Sequence, residues 1–355
     1  MNIDRILKER RVLITCGTGG VGKTTLSAAI AFRAAMLGKR TVVVTIDPAK
    51  RLATSLGLET LGDHPTDLTP ALAKAIGNTR VTGPLPATGS VHAIMPDTRK
   101  TFETFVAELA PNPGVAERIM SNPIFQIFAK EFSGTNEYMA MERLITLEQS
   151  GKYDCIIIDT PPSRNTLAFL NAPKLLAQLF EEKLIRWLVL PANRLVSGGM
   201  RKALGILERL TGAGFMTNLF DFASALFEVQ VGFTANLKRI TSLLESDQVG
   251  FLMVSTPTPV VAPEARHFIE SVRDHRFHFE GVALNRTLGY LDLGNARGPA
   301  FDVIRALQER EERVLADFQK YEIPLCAKLP ELARDVHSVE DLLYVAMAFD
   351  SDHRY

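Results

Sequence analysis

The feature that most constrains the fold is a glycine-rich segment between a strand pattern and a helix pattern. Residues 17–24 read Gly-Thr-Gly-Gly-Val-Gly-Lys-Thr, which fits the pattern G-x-x-x-x-G-K-[ST]. The β-rich run Val12–Cys16 precedes it, and the Ala-rich helical pattern Lys23–Leu37, closed by Gly38, follows it. Because backbone N–H groups and the positive end of a helix converge in such a loop, the segment predicts a phosphate-binding loop.

Each residue type in this loop has an expected role toward a nucleotide. The ammonium group of Lys23 is expected to reach the β- and γ-phosphates, and the Thr24 hydroxyl to coordinate Mg²⁺. Thr25 adds a hydroxyl for the α-phosphate. The predicted cofactor-binding residues of the loop are Gly19, Gly20, Val21, Gly22, Lys23, Thr24 and Thr25. A glycine-rich turn without a ligand is the alternative, and the agreement of motif and context disfavours it.

Two acidic residues follow buried strand patterns. Asp159 comes directly after Ile156–Ile158, where a carboxylate can hold Mg²⁺ through its water. Asp47 comes after Thr41–Ile46, and a carboxylate there can orient the water that attacks the γ-phosphate, so Asp47 and Lys23 are the predicted catalytic residues. An exposed acid at a strand end, or a helix N-cap, is the alternative interpretation of each.

Strand and helix patterns alternate along most of the chain, which predicts an α/β fold. The later strand candidates are Phe251–Ser255, Gly281–Leu284 and Ile323–Cys326, and the helical candidates between and after them include Pro263–Val272 and Phe301–Phe318. Acidic residues follow two of the predicted strands, and open α/β sheets bind their ligands at the edge where the strands have their carboxyl ends. The sequence therefore predicts a doubly wound, mostly parallel sheet of the P-loop NTPase type, with an inserted α-helical subdomain.

The helical subdomain is expected to come from two insertions that show no convincing strand pattern. We expect residues 1–96, 151–166 and 247–355 to form the nucleotide-binding core, and residues 97–150 and 167–246 to form the insertions. The insertions contain two apolar clusters, Phe102, Phe105, Phe125, Ile127, Phe128, Phe132, Met139 and Met141 in the first, and Leu184, Trp187, Leu188, Met200, Phe215, Met216, Phe220, Phe222 and Phe227 in the second. Most of these side chains are expected to form a core, and the alternative is a groove for apolar helices.

Composition argues against several other classes of protein. Forty basic residues balance forty acidic ones, so no nucleic-acid partner is expected. No apolar run approaches the roughly 18–20 residues of a membrane span, and Met1–Arg10 lacks the apolar block of a secretory signal, which predicts a cytoplasmic protein. Cys16, Cys155 and Cys326 form no CxxC pair, and buried structural thiols are the favoured interpretation.

Three motifs in this order resemble the ArsA family of ATPases. They are Gly19-Gly20-Val21-Gly22-Lys23-Thr24-Thr25, Ile46-Asp47-Pro48-Ala49 and Asp159-Thr160-Pro161-Pro162. Known members of that family are the ATPase subunit of arsenite pumps and the chaperone that guides tail-anchored membrane proteins. The resemblance spans the whole chain, including helical insertions at the same two places, whereas MinD and ParA relatives are shorter and lack such insertions.

The resemblance implies a nucleotide-gated dimer, either a homodimer or a pair with a paralogue, that closes around two ATP molecules with Mg²⁺. Asp47 would begin switch I and Asp159 would begin switch II. Asn285, after the strand Gly281–Leu284, falls where the family places an asparagine that reads adenine, with later contacts near Pro330. The implied partners are ATP and ADP, together with a hydrophobic helix client or a membrane transporter.

Two positions depart from the family pattern. Thr18 stands where the family usually has a lysine that reaches across the dimer to the partner's phosphates. We hypothesise that Lys50, Arg51 or Arg164 supplies that charge, the alternative being that all three are solvated surface residues. The cysteines do not form the thiol sets that the family uses for metalloid or zinc, which weighs against arsenite as the transported ion.

Three functions are compatible with this resemblance. The first is capture and release of a hydrophobic client, such as a membrane-protein helix, under the control of ATP. The second is a cytosolic ATPase subunit that energises an anion transporter. The third is a MinD/ParA-like organiser, which would use a basic or amphipathic tail that the segment Asp350–Tyr355 does not provide.

Overall fold

The computed structural model describes residues 2–46, 51–79, 83–126, 135–160, 214–333 and 335–349. They divide into two compact units. The first holds the described residues of Met1–Pro96, Arg143–Leu170 and Leu243–Tyr355, and the second holds those of Asp97–Glu142 and Asn171–Ser242. Within the described part of the chain, no helix has both the length and the apolar character needed to cross a membrane.

The elements of the described chain are as follows. The strands are β1 (Val12–Cys16), β2 (Arg40–Thr45), β3 (Thr66–Asp67), β4 (Ser90–Ile94), β5 (Cys155–Asp159), β6 (Val249–Ser255), β7 (His278–Thr287) and β8 (Leu325–Pro330). The helices are α1 (Ile3–Glu9), α2 (Lys23–Met36), α3 (Arg51–Ser55), α4 (Thr69–Asn78), α5 (Thr98–Leu109), α6 (Pro113–Ser121), α7 (Thr135–Gln149), α8 (Phe215–Leu244), α9 (Val261–Asp274), α10 (Pro299–Lys320) and α11 (Val339–Met347).

The strands form one sheet in the order β3-β4-β2-β5-β1-β6-β7-β8. Every neighbouring pair is parallel except β3 with β4, which is antiparallel. Each residue of β1, β5 and β6 is buried, as expected for apolar strands covered on both faces. This architecture confirms the predicted α/β, mostly parallel sheet.

The helix α2 anchors the phosphate loop to the sheet. It begins at Lys23 and ends at Met36, one residue earlier than predicted, and Gly38 follows it with a φ of +85°. Most of its side chains are buried, and the run of alanines allows it to pack closely on the strands. The loop therefore leads into a helix whose position is held by buried side chains along most of its length.

Four strands differ most from the sequence prediction, and one of them, the two-residue strand β3, was not predicted. β7 extends to Thr287, so Asn285 lies inside the strand and the prediction that it follows the strand is wrong. The predicted strand Ile323–Cys326 lies further along, at Leu325–Pro330, so Cys326 is near its start rather than its end. β4 was not predicted, since its pattern Ser-Val-His-Ala-Ile is short and interrupted by polar residues.

The second unit has an aromatic core. The rings of Phe105, Tyr138 and Phe233 pack against one another with centroid separations of 5.2–5.7 Å. Asn236 Nδ2 donates a hydrogen bond to the Tyr138 hydroxyl at 3.0 Å, which satisfies a buried polar group. The described members of the first apolar cluster with buried side chains are Phe105, Phe125, Met139 and Met141. These four side chains are core residues, as expected, whereas the side chains of Phe102, Ile127, Phe128 and Phe132 lie outside the described part of the chain.

Candidate functional site

The glycine loop between β1 and α2 has backbone geometry that requires glycine. Gly17 and Gly22 have φ values of +151° and +91°. A Cβ atom at Gly17 would lie 2.2 Å from the Val254 carbonyl oxygen, and one at Gly22 would lie 2.3 Å from Asn285 Nδ2. The loop is thus packed against β6 and β7, and a larger residue at either position has no room.

Lys23 lies inside this loop. Its side chain is buried, and Nζ donates hydrogen bonds to the carbonyl oxygens of Gly17 at 2.8 Å and Thr18 at 2.9 Å. The ammonium group is therefore held at the loop rather than in solvent. This arrangement brings Lys23 to the place where the motif predicts phosphate charge.

The first turn of α2 adjoins the glycine loop and supplies the other groups of the candidate phosphate site. Thr24 and Thr25 are half-buried there, while Gly19 and Gly20 are exposed at the tip of the loop. The N–H groups of a first helical turn have no partner within the helix, and the helix dipole adds partial positive charge. The loop and this turn together form a site for an anionic ligand.

Asp159 is the last residue of β5, at the same edge of the sheet. Its side chain has no exposed surface, and Oδ2 accepts a hydrogen bond from Thr45 Oγ1 at 2.8 Å. Thr24 and Asp159 offer hydroxyl and carboxylate oxygens, the donor type that Mg²⁺ prefers. The residue types at this edge therefore fit the predicted metal.

A buried chain of hydroxyl groups connects this edge to α2. The hydroxyls of Thr15 and Ser27 are 2.8 Å apart, and Ser27 Oγ donates to the Lys23 carbonyl oxygen at 2.8 Å. Thr160 Oγ1 donates to the Thr15 carbonyl oxygen, also at 2.8 Å. These bonds fix the start of α2 relative to β1 and to the residue after Asp159. No sequence pattern predicted these bonds. The signal that could have indicated them is the presence of the small hydroxyl residues Thr15, Ser27 and Thr160 in or next to the motifs.

Asn285 joins the glycine loop to a cleft. Its Nδ2 donates a hydrogen bond to the Val21 carbonyl oxygen at 2.9 Å. The cleft beside it has an empty volume of about 640 Å³, which includes the solvent in its open mouth. Its lining includes Gly22, Thr25, Asn285, Arg286, Pro330, Glu331 and Tyr344. The cleft thus begins at the phosphate loop and continues along the ends of β7 and β8.

The far wall of the cleft is held by hydrogen bonds between those two strand ends. Thr287 Oγ1 donates to the Leu329 carbonyl oxygen at 3.0 Å, and the Glu331 N–H donates to the Thr287 carbonyl oxygen at 2.9 Å. Arg286 has a φ of +60°, and its guanidinium lies 3.8 Å from the Glu331 carboxylate. Pro330, near which the family resemblance implies further contacts with the nucleotide, lines the cleft. Arg286 and Tyr344 were not predicted as lining residues, because no motif marks them.

Several predicted residues lie elsewhere or outside the described part of the chain. Asp47, Lys50 and Arg164 lie outside the described residues. Arg51 is the first residue of α3 and is exposed, and the hypothesis that it replaces the family lysine stays a prediction. Thr18 contributes its carbonyl oxygen to Lys23.

All three cysteines are buried and free, as the sequence indicated. Burial raises the pKa of each thiol, Cys16, Cys155 and Cys326, to about 12. A thiol with so high a pKa stays protonated at neutral pH and is a poor ligand for soft metal ions. The three residues therefore serve as apolar core residues.

The fold and the loop together define a class of protein. A G-x-x-x-x-G-K-T loop joins the central strand β1 to the helix α2, Lys23 lies within the loop, and an acid ends the adjacent strand β5. This combination is that of an α/β P-loop nucleotide-binding protein.

Comparison with known sequences places the chain more narrowly. It belongs to the anion-transporting ATPase family (ArsA), whose model matches residues 10–349.

Individual relatives in the comparison share a third or less of their aligned residues with this chain. An ATPase ASNA1 homolog of Paramecium tetraurelia is 33% identical over 162 residues, 45% of this chain and 43% of the relative. An uncharacterized protein of Streptomyces coelicolor is 26% identical over 259 residues, 72% of this chain and 57% of the relative. The matches thus span about half the length of these two relatives. The ATPase ARSA2 of Chlamydomonas reinhardtii is 23% identical over 345 residues, 94% of this chain and 83% of the relative.

Proposed function

We propose that this protein is a Mg²⁺-dependent ATPase that works as a nucleotide-gated dimer, either of two copies or with a paralogue. ATP binding and hydrolysis are coupled to capture and release of a hydrophobic client, such as a membrane-protein helix. The observation that carries the nucleotide part is the hydrogen bond between Asn285 and Val21, because it makes the phosphate loop and the adjoining cleft one continuous site.

The nucleotide fits this site from the loop outward. Phosphate groups lie on the N–H groups of the glycine loop and the first turn of α2, with Lys23 as the cation. Asn285 Nδ2 donates to the Val21 carbonyl oxygen. The Oδ1 atom of the same amide is the acceptor for a hydrogen bond from the amino group of adenine. The base then occupies the cleft near Pro330.

The hydrolytic step is assigned to acidic residues at the strand ends. Thr24 and Asp159 are the residues that would hold Mg²⁺, and a bound ion would supply positive charge to offset the charge that develops on the phosphates. Asp47 orients the attacking water. Positioning of this kind supplies most of the catalysis in phosphoryl transfer.

The client part of the proposal is supported by an exposed apolar pair on α8. Phe227 and Val231 are 47% and 81% exposed, and four residues apart they lie on the same side of the helix. Large apolar side chains spaced in this way suit contact with an apolar helix. They contrast with Phe105 and Phe233, which are buried in the core of the same unit.

Binding of a fluorescently labelled transmembrane-helix peptide tests this function. The Asp47→Asn protein is used with Mg²⁺-ATP and with ADP, and a sizing run records the oligomeric state. Capture by an ATP-dependent dimer supports the proposal. Replacement of both Phe227 and Val231 by Gln is expected to weaken capture, whereas Lys238→Gln, at an exposed position on the same helix, serves as the control. Absence of capture in both nucleotide states, with the dimer intact, contradicts the client function.

A second candidate function is to energise an anion transporter, as the family description suggests. A membrane partner would then raise the ATPase rate, and the transmembrane peptide would not. The buried thiols disfavour a soft metalloid as the transported ion. Measurement of ATPase activity with and without membranes from cells of the source organism separates the two functions.

A further inference from the structure

Asp159 lies between two buried threonines of the neighbouring strands. The sheet register places it beside Thr15 of β1 on one side and Thr45 of β2 on the other. None of the three side chains has exposed surface. The Thr45 hydroxyl donates to Asp159 Oδ2 at 2.8 Å, whereas the Thr15 hydroxyl is engaged with Ser27 and the Ile158 carbonyl oxygen.

A hydrogen bond from a hydroxyl to a carboxylate has a strong orienting effect. Charge-assisted bonds are roughly twice as strong as neutral ones, and a buried environment strengthens them further. The terminal torsion of an aspartate is broad, so the carboxylate needs such a partner to keep one orientation. With Oδ2 bound to Thr45, the plane of the Asp159 carboxylate is set.

We propose that Thr45 is a positioning residue for Asp159. Its hydroxyl holds the carboxylate in the orientation that binds the Mg²⁺ of a bound nucleotide. This inference rests on the proposed function, in which Asp159 serves the metal. No motif of the sequence analysis included Thr45.

The backbone adds a second link at the same place. The N–H of Ile46 donates to the Asp159 carbonyl oxygen at 3.4 Å. The end of β2 is therefore joined to Asp159 through both a side chain and the main chain. In the sequence, Thr45 is two residues before Asp47, the acid proposed to orient the attacking water.

Three substitutions separate a positioning role from a structural one. Thr45→Val keeps the shape of the side chain and removes the hydroxyl, and Thr45→Ser keeps the hydroxyl. Thr41→Val is the matched control, because Thr41 is also fully buried on β2 but lies at the other end, where its hydroxyl bonds to the Lys39 carbonyl oxygen. Thr45→Ala removes the same hydroxyl and replaces Thr45→Val if that variant does not fold.

The measurement is binding of a fluorescent ADP analogue to the full chain, in EDTA and over a Mg²⁺ titration. We expect Thr45→Val to raise the Mg²⁺ concentration for half-saturation about tenfold, the loss of roughly one charge-assisted hydrogen bond. Binding in EDTA stays at the wild-type level. Thr45→Ser is expected to restore the Mg²⁺ response, and Thr41→Val to leave it unchanged.

Two results overturn the inference. The first is a wild-type Mg²⁺ response in Thr45→Val, or in Thr45→Ala if that is the variant used. The second is an equal loss in Thr41→Val, which would show a general effect of altering β2. A wild-type protein that binds the analogue equally with and without Mg²⁺ would overturn the metal part of the proposed function as well, so the two failures are distinguishable.

Discussion

Asn285 of β7 donates its side-chain N–H to the carbonyl oxygen of Val21, in the glycine loop that follows β1, at 2.9 Å. The two residues are separated by β6 in the sheet and by 264 positions along the chain. The bond is possible because Gly22 has no side chain, since a Cβ there would lie 2.3 Å from the Asn285 amide. The loop and the cleft are therefore held together by one amide group.

Asn285→Ala removes this link and the acceptor proposed for adenine. We expect the dissociation constant for ATP to rise about two- to tenfold, the usual range for one lost hydrogen bond. The ratio of ATP to GTP affinity is expected to fall at the same time. Titration with fluorescent ATP and GTP analogues measures both. Asn295→Ala, at an exposed position in the connection after β7, is the control, and equal effects of the two variants would contradict a role for Asn285.

Lys23→Met tests the cation of the loop. The substitution keeps a long side chain but removes the charge that contacts the Gly17 and Thr18 carbonyl oxygens. We expect ATP affinity to fall roughly 10- to 150-fold, because hydrogen bonds to charged groups contribute about 1.5–3 kcal/mol. Isothermal titration calorimetry measures the change. Lys74→Met, at an exposed position on α4, is expected to bind as the wild type does. Wild-type affinity in Lys23→Met would exclude Lys23 from the phosphate site.

The thiols give a prediction about pH. Burial raises the pKa of Cys16 and Cys155 from 9.0 to about 12, so labelling of the folded protein by a thiol reagent is expected to be slow at pH 8 and to accelerate as the pH approaches 12. Cys326 is the most exposed of the three at 6%, and we expect it to react first. Mass spectrometry after timed labelling gives the order. All three residues are expected to label quickly in denaturant, and equally fast labelling of the native protein would contradict the burial.

The sequence was most informative where a local pattern had one structural solution. The glycine motif, β1 and the start of α2 lie where they were predicted, because glycines with positive φ and a helix start are encoded within a few residues. Asp159 was placed at the end of its strand for a similar reason, since a run of isoleucines can only be a buried element.

Contacts between distant segments were not available from those patterns. The cleft brings together Arg286 of β7, Glu331 just after β8 and Tyr344 of α11, and no single stretch of sequence joins them. The extension of β7 past Leu284 was missed because Asn285 and Arg286 are polar, and their place in the strand depends on pairing with β8. Strand ends are set by such partners as much as by local composition.

The catalytic role of Asp47 rests on the sequence, and one substitution tests it. Asp47→Asn keeps the size of the side chain and removes the charge that would orient the attacking water. We expect ATP binding to stay within about threefold of wild type and the hydrolysis rate to fall about 100-fold or more, the usual effect of losing a positioned base. Equilibrium binding gives the first quantity and a single-turnover assay gives the second. Asp63→Asn serves as the control, because Asp63 lies in the connection before β3 and outside the lining of the cleft. Normal turnover in Asp47→Asn would remove Asp47 from the mechanism and move the search for the water-orienting group to the residues that follow Asp159.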